Sequence, residues 1–157
     1  MMEVEAAIDR AANAVGLTSL KPLQREAIRA FASGNDVFVS LPTGYGKSFC
    51  YVTLPFVFDF MLGQSGSIVL CISPLTALMM EQRTKFSAMG LRCEFVGELQ
   101  QDVQSISDVR NGIVQLLFVS PESILCNPQW REMLRLPVYQ QRSVALVVDE
   151  AHCIVQW

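Results

Sequence analysis

Hydrophobic residues in this chain follow two patterns, a helical spacing and short continuous runs. Near the start, Val4, Ala7, Ile8 and Ala11 recur at helical spacing, which predicts an amphipathic helix. Gly16 follows at a position that commonly ends a helix.

Two further segments show the same helical spacing. One begins at Pro22, a residue that suits the first turn of a helix, and stops at Gly34. The other covers residues 74–89 and is followed by Gly90. The residues expected on the apolar sides are Leu23, Ala27, Ala30 and Phe31 in the first segment, and Leu75, Leu78, Met79, Gln82 and Phe86 in the second.

Strands are predicted at residues 37–40, 68–73, 92–96, 115–120 and 144–149. The segments 37–40 and 144–148 are short apolar runs, which favour buried strands. Because the predicted strands alternate with helical patterns, the chain is predicted to form an α/β domain with a mostly parallel sheet. The carboxyl ends of parallel strands gather at one edge of the sheet, where ligands bind. The segments that follow the predicted strands are therefore expected to carry the chemistry.

The segment Leu41–Ser48, LPTGYGKS, follows the first predicted strand and precedes an apolar stretch that can be helical. This arrangement, with Lys-Ser at the start of the helix, is typical of a phosphate-binding loop. Lys47 would reach the β- and γ-phosphates of a nucleotide, and the Ser48 hydroxyl would ligate Mg²⁺. The other loop residues expected around the phosphates are Thr43, Gly44, Tyr45 and Gly46. An ordinary glycine-rich turn is the alternative, because the general pattern has glycine where this chain has Leu41.

The run Val144–Val148 is typical of a central parallel strand buried on both faces, and it ends in Asp149 and Glu150. Asp149 would hold Mg²⁺, as the second metal-binding element of P-loop ATPases does. Glu150 would orient and deprotonate the attacking water. A surface acidic turn is the alternative, and the presence of both segments in one chain argues against it.

Composition excludes several classes of protein. The 157 residues are 51% hydrophobic and 17% charged, which predicts one domain with a substantial core. The net charge of −3 means that nucleic acid would have to be bound by a local patch or by backbone amides. Five cysteines without C-x-x-C spacing and a single histidine argue against a metal cluster and favour a reduced, intracellular chain. No signal peptide or membrane-spanning segment is predicted.

Several motifs, in this order along the chain, resemble those of the RecQ family of DNA helicases in superfamily 2. They are Leu20–Gln24, Leu41–Ser48, Cys50-Tyr51, Ser73–Leu75, Ser120–Glu122 and Asp149–Trp157. The last, DEAHCIVQW, is the most specific. DEAH alone also occurs in RNA helicases and other ATPases, whereas DEAHCI-x-QW is similar to the RecQ form in particular. The resemblance implies a RecA-like P-loop NTPase fold. It implies that residues 1–157, with N-terminal helices in 1–34, form the first RecA-like lobe, incomplete at its C-terminus.

The resemblance also implies roles for individual residues near the nucleotide. Gln24 matches the family's adenine-recognising glutamine, and Lys21 stands where the family often has an arginine packed on the adenine face. A solvated helix start is the alternative for both. The chain departs from the family pattern at Leu17, where an aromatic residue is usual, and at Tyr45, where a small residue is usual. The Tyr45 ring is expected to point away from the phosphates.

Four residues are assigned to DNA by the same resemblance. His152 is similar to the histidine that links the nucleotide site to bound DNA, and Trp157 to the start of an aromatic-rich loop that senses single-stranded DNA. Ser73 and Leu75 resemble a segment that touches the DNA backbone. The alternatives are a hydrogen-bonded histidine, a frayed terminus for Trp157 and a plain strand-to-helix turn at Ser73.

The function implied is that of an ATP- and Mg²⁺-dependent 3′–5′ DNA helicase acting in recombination and repair. Its partners would be single-stranded and duplex DNA and a second RecA-like lobe, with no membrane involved. It would act in the nucleus of a eukaryote or the cytoplasm of a bacterium. Two other functions stay open: a nucleotide- and nucleic-acid-binding fragment without turnover, and a DEAH-type RNA helicase. Cys153-Ile154 and Gln156-Trp157 argue against the RNA helicase.

Overall fold

The computed structural model describes residues 3–42, 44–73, 76–97 and 100–149. The chain forms two compact units, residues 1–67 and residues 68–157. The first unit is helical in its described part, and the second contains a parallel sheet with helices.

In its described residues, the first unit has four helices: α1 (Val4–Ala14), α2 (Pro22–Ala32), α3 (Phe49–Val52) and α4 (Leu54–Leu62). The first confirms the predicted amphipathic helix, because Ala7, Ile8 and Ala11 are fully buried. Helix α1 packs against α4. The backbone stays helical at Thr53, so α3 and α4 follow one another without a loop.

The predicted bounds of α2 are confirmed, but its predicted apolar side is wrong at Leu23. That side chain is 46% exposed, whereas Gln24 and Ile28 are buried. Residues four apart lie on one helical face, so Gln24 and Ile28 together define the buried side. A polar residue therefore occupies a buried position of this helix, which requires hydrogen-bond partners.

The predicted strand at 37–40 is also wrong, since these residues form no regular secondary structure. Phe38 is 84% exposed. A strand needs a neighbouring strand for its backbone hydrogen bonds, and the described residues of the first unit are otherwise helices and turns. The apolar run alone does not supply such a neighbour.

The second unit contains the other four predicted strands: β1 (Ile68–Ile72), β2 (Cys93–Val96), β3 (Leu116–Val119) and β4 (Ser143–Val148). All pairings are parallel, in the order β2-β3-β1-β4. The helices that lie between these strands in the chain are α5 (Thr76–Ala88), α6 (Val103–Arg110), α7 (Pro121–Cys126), α8 (Pro128–Leu134) and α9 (Pro137–Arg142). The predicted parallel α/β architecture is thus confirmed.

Burial differs between the strands. Every residue of β2 and β3 is buried. For β3 this is what a continuous apolar run predicts, whereas β2 also buries the charged Glu94. By contrast β4, predicted to be central, lies at an edge of the described sheet and exposes 63% of Leu146. The core beside the sheet includes Trp130 and Tyr139, whose hydroxyl donates to the Val109 carbonyl. Burial raises the pKa of Tyr139, so this hydroxyl remains a donor.

Candidate nucleotide-binding site

The predicted phosphate loop leads directly into a helix. Gly44 and Gly46 have φ angles of 84° and 90°, a left-handed conformation that favours glycine. The amide of Phe49 donates to the Gly46 carbonyl, and that of Cys50 to the Lys47 carbonyl, each at 3.0 Å. The first helical turn therefore begins inside the loop, with Ser48 as the residue that precedes α3.

Gln24 of α2 is held against this loop and is only 3% exposed. Its Nε2 donates to the carbonyls of Tyr45, at 3.1 Å, and Gly46, at 2.8 Å. Its Oε1 accepts from the Lys21 amide at 2.8 Å. A glutamine amide has two N–H donors and two acceptor lone pairs. Both donors of Gln24 are thus engaged by the loop, and one lone pair remains.

Tyr45 also contacts the start of α2. Its hydroxyl accepts from the Leu23 amide at 3.2 Å. The Lys21 ammonium donates to the Tyr45 carbonyl at 3.0 Å and lies 4.7 Å from the centre of its ring. The Tyr45 ring is therefore packed at the start of α2.

Cys50 lies just after the loop and is buried. Burial raises the pKa of this thiol to about 11, and the positive charge of Lys47 acts in the opposite direction. At neutral pH the side chain is an uncharged thiol rather than a nucleophilic thiolate. Cys50 is therefore a packing residue of this site.

In the second unit, the carboxyl ends of three strands meet at one edge, as predicted. Ser73 follows β1 and its amide donates to Val119 at 3.0 Å, while the Asp149 amide after β4 donates to Ile72 at 2.9 Å. Ser120, after β3, caps α7 by accepting from the Ser123 amide at 3.2 Å. Asp149 is 6% exposed.

Ser73 is fully buried, and its hydroxyl has no hydrogen-bond partner in the part of the chain that the structure describes. A buried hydroxyl is poorly placed to meet a DNA backbone. Its DNA contact stays a prediction, and its burial favours the alternative of a strand-to-helix turn.

Five residues of the predicted site lie outside the described residues: Thr43, Leu75, Glu150, His152 and Trp157. Within the described ranges, no cluster of three or more His, Cys, Asp or Glu side chains could hold a metal ion. Mg²⁺ is usually held by one or two protein oxygens together with substrate phosphates, so such a cluster is not required. None of the helices in those ranges has the length and apolar character to span a membrane.

Sequence reasoning missed the contacts between α2 and the loop. It assigned Gln24 to a base and treated Tyr45 only as a departure from a pattern. The contacts join residues 21 to 24 positions apart in the chain, so no local spacing predicts them. The single feature of the sequence that pointed to these contacts was the large aromatic residue between two loop glycines.

Residues 21–157 match the family described as DEAD/DEAH box helicase, and the chain belongs to this family. It is 36% identical over 147 residues to the ATP-dependent DNA helicase hus2/rqh1 of Schizosaccharomyces pombe, an alignment that covers 90% of this chain and 11% of that protein. It is 32% identical over 160 residues to the ATP-dependent DNA helicase RecQ of Haemophilus influenzae, covering 100% and 24% respectively. The resemblance to RecQ helicases is confirmed, although the chain spans at most about a quarter of these relatives.

Solved structures confirm the RecA-like helicase fold. The DUF1998 helicase MrfA, solved with DNA and AMPPNP, superimposes with a TM-score of 0.72 at 19% identity, covering 97% of this chain and 22% of that one. A hypothetical ATP-dependent RNA helicase from Sulfolobus tokodaii gives a TM-score of 0.65 at 19% identity, covering 96% and 43%. At such identities the likeness concerns the fold alone.

Proposed function

We propose that this chain is the ATP-binding lobe of an ATP-dependent 3′–5′ DNA helicase of the RecQ type, acting in recombination and repair. Residues 1–157 would form the first RecA-like lobe, with residues 1–34 as its N-terminal helices. The observation that carries the proposal is the glycine-rich loop that opens a helix and is bound by Gln24, in a chain of the DEAD/DEAH box helicase family. The names of the relatives favour DNA over RNA.

The loop residues fit a nucleoside triphosphate with Mg²⁺. Gly44 has nothing within 4 Å of the position that a Cβ would take, which leaves room for a phosphate to approach the backbone. Lys47 would bind the β- and γ-phosphates, and the Ser48 hydroxyl is a hard oxygen ligand of the kind Mg²⁺ takes. When bound, Mg·ATP supplies the anhydride whose hydrolysis drives helicase movement.

Asp149 is proposed as a further Mg²⁺ ligand and Glu150 as the base that activates water. His152 would couple the nucleotide to DNA, and Leu75 and Trp157 would contact DNA directly. Single-stranded and duplex DNA are the proposed nucleic-acid partners. The protein would act inside the cell, in the nucleus if the source is a eukaryote and in the cytoplasm if it is a bacterium.

A second RecA-like lobe is the proposed protein partner. In related phosphoryl-transfer enzymes, an arginine supplied to the transition state raises the rate by about 10³–10⁵-fold. Unwinding also needs two lobes that close on ATP and reopen after hydrolysis. We therefore expect the chain alone to bind ATP without unwinding DNA.

The test joins this chain to the second RecA-like lobe of a RecQ relative. The fusion is expected to hydrolyse ATP when single-stranded DNA is added and to separate a duplex that carries a 3′ tail. A Lys47→Ala fusion is expected to do neither. Stimulation by RNA instead of DNA would favour an RNA helicase. ATP binding without hydrolysis in the fusion would favour a binding module.

A further inference from the structure

We propose that Tyr45 is a positioning residue that joins the phosphate loop to the start of α2 and sets how strongly the site discriminates between nucleotide bases. This inference rests on the proposed function, since it concerns the base attached to the phosphates at that loop. It is carried by contacts within residues 21–48 alone.

The residue that precedes α2 offers no side-chain acceptor to the amides of the first helical turn. Pro22 at its first position has no N–H, and the preceding Lys21 has a side chain without an acceptor, so it cannot cap the helix as Ser or Asp would. The Leu23 amide is satisfied instead by the Tyr45 hydroxyl, 22 residues further along the chain. A small residue at position 45 would not reach it.

Three groups from this helix start converge on Tyr45. Its hydroxyl accepts from Leu23, and its carbonyl accepts from both Lys21 Nζ and Gln24 Nε2. Lys21 also lies over the aromatic ring at 4.7 Å, where a cation is attracted electrostatically. The Tyr45 ring thereby contacts Lys21, and the Tyr45 backbone carbonyl contacts both Lys21 and Gln24, the two residues that the family resemblance assigns to the base.

The orientation of Gln24 has a consequence for base choice. Its two N–H donors are bound to the loop, and its Oε1, which already accepts from Lys21, keeps one lone pair. The exocyclic amino group of adenine can donate to that lone pair. Guanine presents its O6 acceptor at the equivalent place, so two acceptors would face one another. Preference for adenine then depends on the contacts that hold Gln24 and Lys21 in place.

Two variants separate the contribution of the Tyr45 hydroxyl from that of the Tyr45 ring. Tyr45→Phe keeps the ring beneath Lys21 and removes the hydroxyl, whereas Tyr45→Ala removes both and keeps the backbone carbonyl. Dissociation constants for ATP, GTP and inorganic tripolyphosphate are measured by displacement of a fluorescent nucleotide. We expect the ATP-over-GTP preference to fall about three- to tenfold in Tyr45→Ala and by less in Tyr45→Phe, as for a lost hydrogen bond. Affinity for tripolyphosphate, which has no base, should change less than about twofold.

A second readout needs no nucleotide. In Tyr45→Phe the Leu23 amide loses its acceptor, so its hydrogen exchange should accelerate relative to that of Ile28 in the same helix. Tyr139→Phe is the matched control, because it deletes a hydroxyl that donates to the Val109 carbonyl in the second unit. That variant should lower stability while leaving both Leu23 exchange and the base preference as in the wild type.

An ATP-over-GTP preference that survives in Tyr45→Ala, or unchanged Leu23 exchange in Tyr45→Phe, overturns the inference. A wild-type chain that binds tripolyphosphate and ATP but does not distinguish ATP from GTP also overturns it, while the proposed phosphate site stands. If the wild-type chain binds neither ATP nor tripolyphosphate, the proposed function fails and the inference fails with it.

Discussion

Gly44 and Gly46 are a matched pair for testing whether Gln24 is held against the loop. Both have left-handed φ angles, 84° and 90°, where an L-residue costs about 1–2 kcal/mol. A Cβ at Gly44 would meet nothing within 4 Å, whereas one at Gly46 would lie 2.8 Å from Gln24 Nε2 and 3.2 Å from the Phe49 ring. Their alanine variants therefore share the backbone strain and differ in this collision.

The size of the difference follows from the hydrogen bonds of Gln24. Its amide can move away from a new Cβ only by losing its bonds to the Tyr45 and Gly46 carbonyls, each of which contributes about 1 kcal/mol. We expect Gly44→Ala to lower the free energy of unfolding by about 1–2 kcal/mol. Gly46→Ala should lower it by about 3–4 kcal/mol, the strain plus both bonds.

The assay is urea denaturation without nucleotide, followed by far-UV circular dichroism. In a Gln24→Ala background the contact at 2.8 Å is absent and the contact with the Phe49 ring at 3.2 Å remains. Gly46→Ala should then cost little more than the backbone strain of about 1–2 kcal/mol. Such non-additivity is expected for residues in contact. Equal losses for the two single variants, or a Gly46→Ala effect that is unchanged by Gln24→Ala, would refute the contact.

Three further outcomes are expected. In the fusion with a second lobe, Glu150→Gln should keep ATP binding and stop hydrolysis, because an amide cannot accept the proton of water; normal turnover would exclude this base. His152→Ala should reduce the stimulation of ATP hydrolysis by single-stranded DNA more than the basal rate, and intact stimulation would remove it from the coupling role. Burial raises the thiol pKa to about 11 at Cys50 and about 12 at Cys93, so iodoacetamide at pH 8 should label exposed Cys126 before these two cysteines. Peptide mass spectrometry would check this, and equal labelling of the three would contradict the burial.

The sequence predicted where helices and strands occur better than it predicted how they pair and how deeply they are buried. Runs such as Leu116–Val119 became strands because a partner strand lies on each side. The run at 37–40 is also apolar but has no partner strand among the described residues, and Leu146 lies on a strand that has one neighbour in the described sheet. An apolar run indicates that burial of the segment is favourable. Whether the segment forms a strand also depends on a second strand that is distant in the chain.

For the candidate site, the sequence likewise predicted the local motif but not the contacts made with it. The phosphate loop was found because glycine, lysine and serine have fixed local roles at a helix start. The burial of Gln24 and the capping of α2 by Tyr45 depend on contacts across 21 and 22 residues. They required the structure because α2 and the loop must first be brought together.

The most direct test of the central claim is a calorimetric titration of the chain with Mg·ATP. The wild-type chain is expected to bind one ATP, and Lys47→Ala should weaken binding at least about tenfold, the effect of a lost hydrogen bond to a charged group. Lys85→Ala, which removes a lysine of α5, should bind as the wild type does. Far-UV circular dichroism should show all three proteins folded alike. Equal ATP affinity in Lys47→Ala and the wild type would contradict the account.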